Sequence, residues 1–287
     1  MKTCLSLSLL SVCIVVGCTT FGDHQYVAAA CEEANQPEVS FLDLYKPEGA
    51  KFAYQDYAEQ SYLYAQMSDN AYDRENPWQL PERFREVDAI NDKDGTGFAA
   101  KVFEEGPPES PTRVIVAFRG TEGPFLISRD WWNGNIRTKQ QYQAESYYQR
   151  WRAKYQESVP FVTTGHSLGG ALALQISINY PDVPVYVFNS SYRVRQRGAE
   201  AKNDRLSISE TGEVVKVVRD ILPNVTIMHL SGFDCTEGSP FTNHGMTALA
   251  RCLTRIAAAR ENAALQSLSV NPISCSRRTF TSGSNSS

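Results

Sequence analysis

The sequence predicts an α/β domain with a mostly parallel central sheet and helices on both faces, and three observations carry that prediction. Short apolar, β-prone runs alternate with helix-prone ones along the chain, the pattern of a sheet whose strands are joined by crossover helices. One such run enters a helix through Gly165-His166-Ser167-Leu168-Gly169, a tight turn of the form G-x-S-x-G. Composition agrees: 287 residues, 42% hydrophobic, with a formal net charge of -4, are ordinary for one globular α/β domain. No basic field is present for nucleic acid, and no internal repeat is seen.

Taken in order, residues 61–73 read as a helix ahead of the sheet. Residues 113–118, Arg-Val-Ile-Val-Ala-Phe, form a β-branched strand running into Arg119-Gly120-Thr121. Residues 147–155 are an amphipathic, aromatic helix, and residues 159–164 an apolar strand. The helix-prone run 171–176 is apolar enough to be buried. A strand at 185–188 follows, and then 195–209, polar and charged, which reads as a surface excursion rather than core. Residues 214–219 form a strand closed by Asp220, and 225–228 an apolar run leading to His229. A turn-rich stretch, 238–244, precedes a helix at 246–259, and the Ser/Arg/Asn/Gly-rich end beyond residue 269 reads as a flexible polar tail.

Between a strand and a helix, G-x-S-x-G is the setting a nucleophilic serine needs, because the sharp turn lifts Oγ to the mouth of the sheet. A serine requires a base and an acid to become a nucleophile. If the chain order is nucleophile, acid, base, both partners lie after Ser167. The histidines there are His229, within or ending a strand, and His244, on a loop before a helix. His244 is favoured as base because functional groups sit on loops at the sheet edge. Asp220, closing a strand, is favoured as acid, with Asp234 as competitor. The backbone N–H of Leu168 is one expected oxyanion donor, and Thr121 after the 113–118 strand is the candidate for the second, with a plain solvent turn as the alternative. His166 is assigned no proton-transfer role.

Phe118-Arg119-Gly120-Thr121, Asp130-Trp131-Trp132, the run Gly165-His166-Ser167-Leu168-Gly169-Gly170 and Arg219-Asp220-Ile221-Leu222-Pro223 together resemble the class 3 lipases, a branch of the α/β-hydrolase fold. The likeness covers residues 62–259. It implies that Ser167, Asp220 and His244 are catalytic and that Thr121 and Leu168 form the oxyanion hole. It also implies that 122–128, with Phe125, Leu126 and Ile127, is a lid over an acyl groove. The chain departs from the family after 185–188, where Asn189-Ser190-Ser191 replaces the usual Gly-Ser-Pro, and in the 195–209 insertion. Both departures lie beside the site and make a smaller or more polar ester more plausible than triacylglycerol.

Met1-Lys2 followed by the apolar run 5–16 has signal-peptide form. Its end, Val15-Val16-Gly17-Cys18, resembles the bacterial lipoprotein box, which implies acylation of Cys18; a plain secretory signal is the alternative. Thr19 in place of aspartate implies the outer membrane, so the expected location is the bacterial cell envelope. The organisation that follows is a signal peptide at 1–17, a lipidated tether at 18–40, the hydrolase-like domain at 41–268 and the tail at 269–287. Cys31, Cys235, Cys252 and Cys275 remain in the mature chain, an even number in an oxidising compartment, so one or two disulfides are expected, with three full connectivities open. The cysteines are too widely separated for a zinc site, and no cofactor is implied.

The expected function is a lipid-anchored serine hydrolase of phospholipid or acylglycerol esters, working through an acyl-enzyme. Its rivals are a short-chain esterase or thioesterase on soluble esters, and a non-catalytic acyl- or partner-binding lipoprotein.

Overall fold

Strands succeed one another across the sheet in the same order as along the chain: β1 (Phe84–Asn91), β2 (Ala99–Glu105), β3 (Arg113–Phe118), β4 (Phe161–His166), β5 (Val185–Phe188), β6 (Arg205–Glu210) and β7 (Met228–Phe233). β2 runs antiparallel to β1 and to β3, and every pairing from β3 to β7 is parallel. The computed structural model describes residues 50–120, 135–156, 158–191, 194, 203–210, 228–233, 235 and 244–271.

Parallel neighbours need crossovers, and two of them are helices: α2 (Asn135–Lys154) between β3 and β4, and α3 (Leu168–Asn179) between β4 and β5. The three other described helices are α1 (Ala50–Asn70), α4 (Met246–Ala258) and α5 (Asn262–Val270). Side chains of β3 alternate between faces as a pleated strand requires. Val114, Val116 and Phe118 join a core with Tyr148 and Trp151 of α2 and Leu172 and Ile176 of α3. Ile115 and Ala117 join Met67 of α1 on the opposite side. Beside that second core, Ala58, Tyr62 and Ala65 of α1 pack with Phe188, Ile208, Leu249, Leu253 and Ile256. Burial on both faces is what the unbroken apolar run of β3 calls for. The architecture is the α/β-hydrolase fold.

α1 and α4 are also joined by polar groups. Gln66 donates to Thr254 Oγ1 at 3.0 Å and to Ser267 Oγ of α5 at 2.9 Å, which satisfies both hydrogens of an NH₂ group buried between helices. Cys235, two residues past β7, is paired with Cys252 of α4, with Cα atoms 5.6 Å apart.

The expected elements that fall on described residues are present, several of them with different bounds. The 61–73 helix is α1, which begins at Ala50 and ends at Asn70, and the 147–155 helix is the last part of α2. β3 and β5 have the expected bounds, β4 is displaced two residues toward the carboxyl end, and α4 starts where expected. Residues 205–209 are not part of a surface excursion: they belong to β6, every residue of which is buried. Leu206 and Ile208 enter the core, while Arg205 donates to Ser177 Oγ at 3.1 Å and to the Ser177 carbonyl at 2.8 Å. A charged residue is buried there because its hydrogen bonds are met. β1 and β2 had no sequence-level counterpart; β2 contains Glu104, buried and paired with Arg85 and Lys154. The expected strand at 214–219 lies outside the described residues.

Candidate active site

β4 ends at His166 and α3 begins at Leu168, so Ser167 alone makes the turn between them. Its backbone has φ 57° and ψ -121°, a conformation costing about 1–3 kcal/mol that persists only where surrounding contacts impose it. Those contacts are present: Ser167 N–H donates to the Phe188 carbonyl at 3.0 Å, and the Ser167 carbonyl accepts from Ala171 N–H at 3.3 Å. Two glycines let strand and helix meet this closely. A Cβ on Gly165 would stand 2.5 Å from the Gly169 carbonyl oxygen, and one on Gly169 would land on the Phe118 carbonyl.

Parallel register gathers several strand ends at this edge. Phe118 pairs with Gly165, and His166 with Phe188. Gly120 therefore comes against the nucleophile turn, and a Cβ added there would sit 2.9 Å from Ser167 Cβ. Asn189, Ser190 and Ser191, the departure from the expected Gly-Ser-Pro, are buried beside the turn. Asn189, at φ 45°, accepts Glu210 N–H at 2.9 Å, so the segment ties β5 to β6.

From across the site, His244 reaches Ser167. Its Nε2 lies 2.8 Å from Ser167 Oγ, and both residues are buried. His244 stands just before α4, whose first residue is Met246, so this histidine is on a helix-preceding turn as the sequence indicates. His229, the other candidate, is inside β7 with its backbone paired to Ser207.

Tyr72, which the sequence does not single out, and His166, which it assigns no proton-transfer role, complete the surroundings. Tyr72, just beyond α1, places its hydroxyl 2.5 Å from His166 Nδ1 and accepts Gly120 N–H at 3.0 Å. His166 Nε2 in turn is 2.6 Å from the backbone carbonyl of His244. Burial, and then the adjacent His244 ring, hold the His166 imidazole well below the usual histidine range. No local signal marks Tyr72 among 14 tyrosines.

Leu168, the first residue of α3, carries one of the helix N-terminal N–H groups that lack an intrahelical acceptor. Asp220, its competitor Asp234, Thr121, Phe125, Leu126, Ile127 and Cys18 lie outside the described residues.

The profile of a family described as "Phospholipase-like: Tle-like phospholipase domain" matches residues 50–261. The chain belongs to this family. As a Tle-like phospholipase domain it is a lipase- or phospholipase-like hydrolase whose substrate class is lipid esters, and the lipase-like family expected from the sequence is borne out at that level. No curated protein matches the sequence. Among solved structures, a lipase from Rhizopus microsporus var. chinensis is 15% identical over 58% of this chain and 70% of its own, with a TM-score of 0.43. The triacylglyceride lipase of Rhizomucor miehei is 13% identical over 63% and 81%, with a TM-score of 0.45. Lip2 lipase of Yarrowia lipolytica is 16% identical over 66% and 83%, with a TM-score of 0.44.

In the Tle-like phospholipase domain, then, the match takes in α1 and α4 as well as the strands between them. Those two helices supply Tyr72, just past the end of one, and His244, just ahead of the other.

Proposed function

We propose that this phospholipase-like domain cleaves the carboxylic esters of phospholipid or acylglycerol through a Ser167-Asp220-His244 triad and an acyl-enzyme. The observation that carries the reading is the 2.8 Å approach of His244 Nε2 to Ser167 Oγ, at a serine held with φ 57°. Ser167 Oγ attacks the ester carbonyl and its proton passes to His244 Nε2. The carbonyl oxygen gathers negative charge, which Leu168 N–H and the backbone of Thr121 receive. Contact of Gly120 with Ser167 supports Thr121 in that role, since it is the next residue. His244 then protonates the departing alcohol, leaving the acyl group on Ser167, and water activated by the same imidazole releases the carboxylic acid. Asp220 holds Nδ1 of His244, fixing the tautomer in which Nε2 can accept.

Ser167 and His244 are both buried, which fits a site that opens by movement of a covering segment. That is the role the sequence gives Phe125, Leu126 and Ile127. Acylated Cys18 holds the enzyme at the outer membrane of a bacterial envelope, where each buried CH₂ contributes about 0.8 kcal/mol.

Purified full-length protein is tested on phosphatidylcholine vesicles and on emulsified acylglycerol, with Ser167→Ala beside wild type. Release of fatty acid by wild type, lowered about four to six orders of magnitude in the variant, is the expected result. Hydrolysis confined to short soluble esters rejects the lipid reading in favour of an esterase.

A further inference from the structure

Four segments far apart in sequence meet at one line of hydrogen bonds. Gly120 N–H lies 3.0 Å from Tyr72 Oη, Tyr72 Oη 2.5 Å from His166 Nδ1, and His166 Nε2 2.6 Å from the His244 carbonyl oxygen. The chemistry of the end groups fixes the direction. A carbonyl oxygen only accepts, so His166 Nε2 carries hydrogen, and a backbone N–H only donates, so Tyr72 Oη accepts from Gly120. An imidazole buried beside a second histidine is kept neutral, so its Nδ1 is bare and takes the phenolic hydrogen of Tyr72.

We propose that Tyr72 and His166 are positioning residues of the hydrolytic site, acting as one unit that holds the base in register with Gly120, just past the end of β3. The proposal rests on the reading of Ser167 as nucleophile and His244 as base.

His244 is held at both ends by this arrangement. Its ring engages Ser167 Oγ at 2.8 Å, and its backbone carbonyl is gripped by His166, the residue preceding that serine. Displacement of the peptide would carry the imidazole away from Oγ, and misplacement by about 1 Å at a catalytic group can cost on the order of 100-fold in rate. Tyr72 extends the same constraint to Gly120, the residue before Thr121 in the chain. The room there is small: a Cβ on Gly120 would meet Tyr72 Oη at 2.5 Å and the His166 carbonyl at 2.6 Å. Arg74, with its guanidinium 4.7 Å from the Tyr72 ring centroid, packs on the phenol. His166 thus has both ring nitrogens engaged, which makes it a support of His244 rather than a second base.

The test uses the full-length protein and measures kcat and KM on p-nitrophenyl butyrate, together with the rate of fluorophosphonate labelling at Ser167. The variants are Tyr72→Phe, His166→Gln, His166→Asn and the double change Tyr72→Phe/His166→Asn. Tyr72→Phe is expected to lower kcat and the labelling rate about 10- to 100-fold with KM within about twofold. Glutamine keeps an N–H donor near the Nε2 position and retains more activity than asparagine, whose shorter amide leaves the His244 carbonyl unserved. Because the residues act as a unit, the double variant is no more than about threefold worse than His166→Asn. Wild-type-like kcat and labelling in Tyr72→Phe and His166→Asn, even with a lowered melting temperature, overturn the positioning role and leave the hydrolase reading intact. Absence of labelling in the wild type overturns the reading of Ser167 as nucleophile and this proposal with it.

Discussion

Thr247 donates its hydroxyl to Asp69 Oδ1 at 2.9 Å, joining the first turn of α4 to the last turn of α1 three residues beyond His244. The same buried carboxylate accepts Trp78 Nε1–H at 3.0 Å and Arg74 Nε–H at 3.4 Å. Asp69 is therefore a hub fastening α4, and with it the residue proposed as base, to the segment that carries Tyr72.

Loss of the hub should cost more than loss of one spoke. Thr247→Val removes a single bond and should destabilise by about 1–2 kcal/mol, whereas Asp69→Ala strands the buried Trp78 N–H as well and should cost about 3 kcal/mol. Urea unfolding of both variants measures the difference. Equal stabilities would show that Asp69 is not the common anchor.

The turn glycines separate fold from activity. Gly169→Ala drives a Cβ into the Phe118 carbonyl, between backbone atoms that cannot move independently, and should cost at least about 3 kcal/mol or prevent folding. Gly120→Ala presses on Tyr72 Oη and Ser167 Cβ as well as on the His166 carbonyl. It should lower kcat more than it lowers stability. Melting temperature and esterase rate, measured on the same preparations, decide this.

Acid should weaken the fold through His166. Its folded-state pKa lies below the unfolded value of about 6.5, so near and below that pH the unfolded chain binds more protons than the native one. The stability this group contributes is full above about pH 6.5 and is lost as pH falls toward the folded value. Charging His166 would set it against the His244 ring, 4.8 Å away between centroids, and against Arg74, and would take away the acceptor that Tyr72 donates to. Urea midpoints from pH 8 to pH 5 should fall in wild type and flatten in His166→Gln. Parallel curves for the two proteins would contradict the assignment.

His244 and His229 can be told apart directly. His244→Ala should lower kcat nearly as far as Ser167→Ala, about four orders of magnitude or more, with Asp220→Asn close behind. His229→Ala should leave the rate near wild type, since the backbone of His229 is paired with Ser207 inside the sheet. Silencing by His229→Ala would transfer the base to β7.

What the sequence revealed and what it concealed follow from the range of the interactions. Ser167 was legible because its turn is specified by immediate neighbours: Gly165 and Gly169 are needed at fixed offsets, between a strand and a helix. The place of His244 on a turn ahead of α4 was legible from the turn-rich stretch that precedes the helix. β6 was misread because Ser207, Ser209 and Arg205 look like a loop, and only tertiary partners such as Ser177 make their burial tolerable. β1 and β2 escaped notice for the same reason, since the charge of Glu104 is answered by Arg85 across the β1–β2 pair and by Lys154 from α2. Tyr72 could not be found at all, for its partner His166 is 94 residues away and nothing nearby distinguishes it.

The most direct test of the account is to treat the full-length protein with a fluorophosphonate, with detergent present, and to map the adduct by mass spectrometry beside Ser167→Ala and His244→Ala. The expected result is a single covalent adduct on Ser167, lost in Ser167→Ala and formed orders of magnitude more slowly in His244→Ala. An unlabelled wild type, or an adduct on another residue with Ser167 untouched, would contradict it.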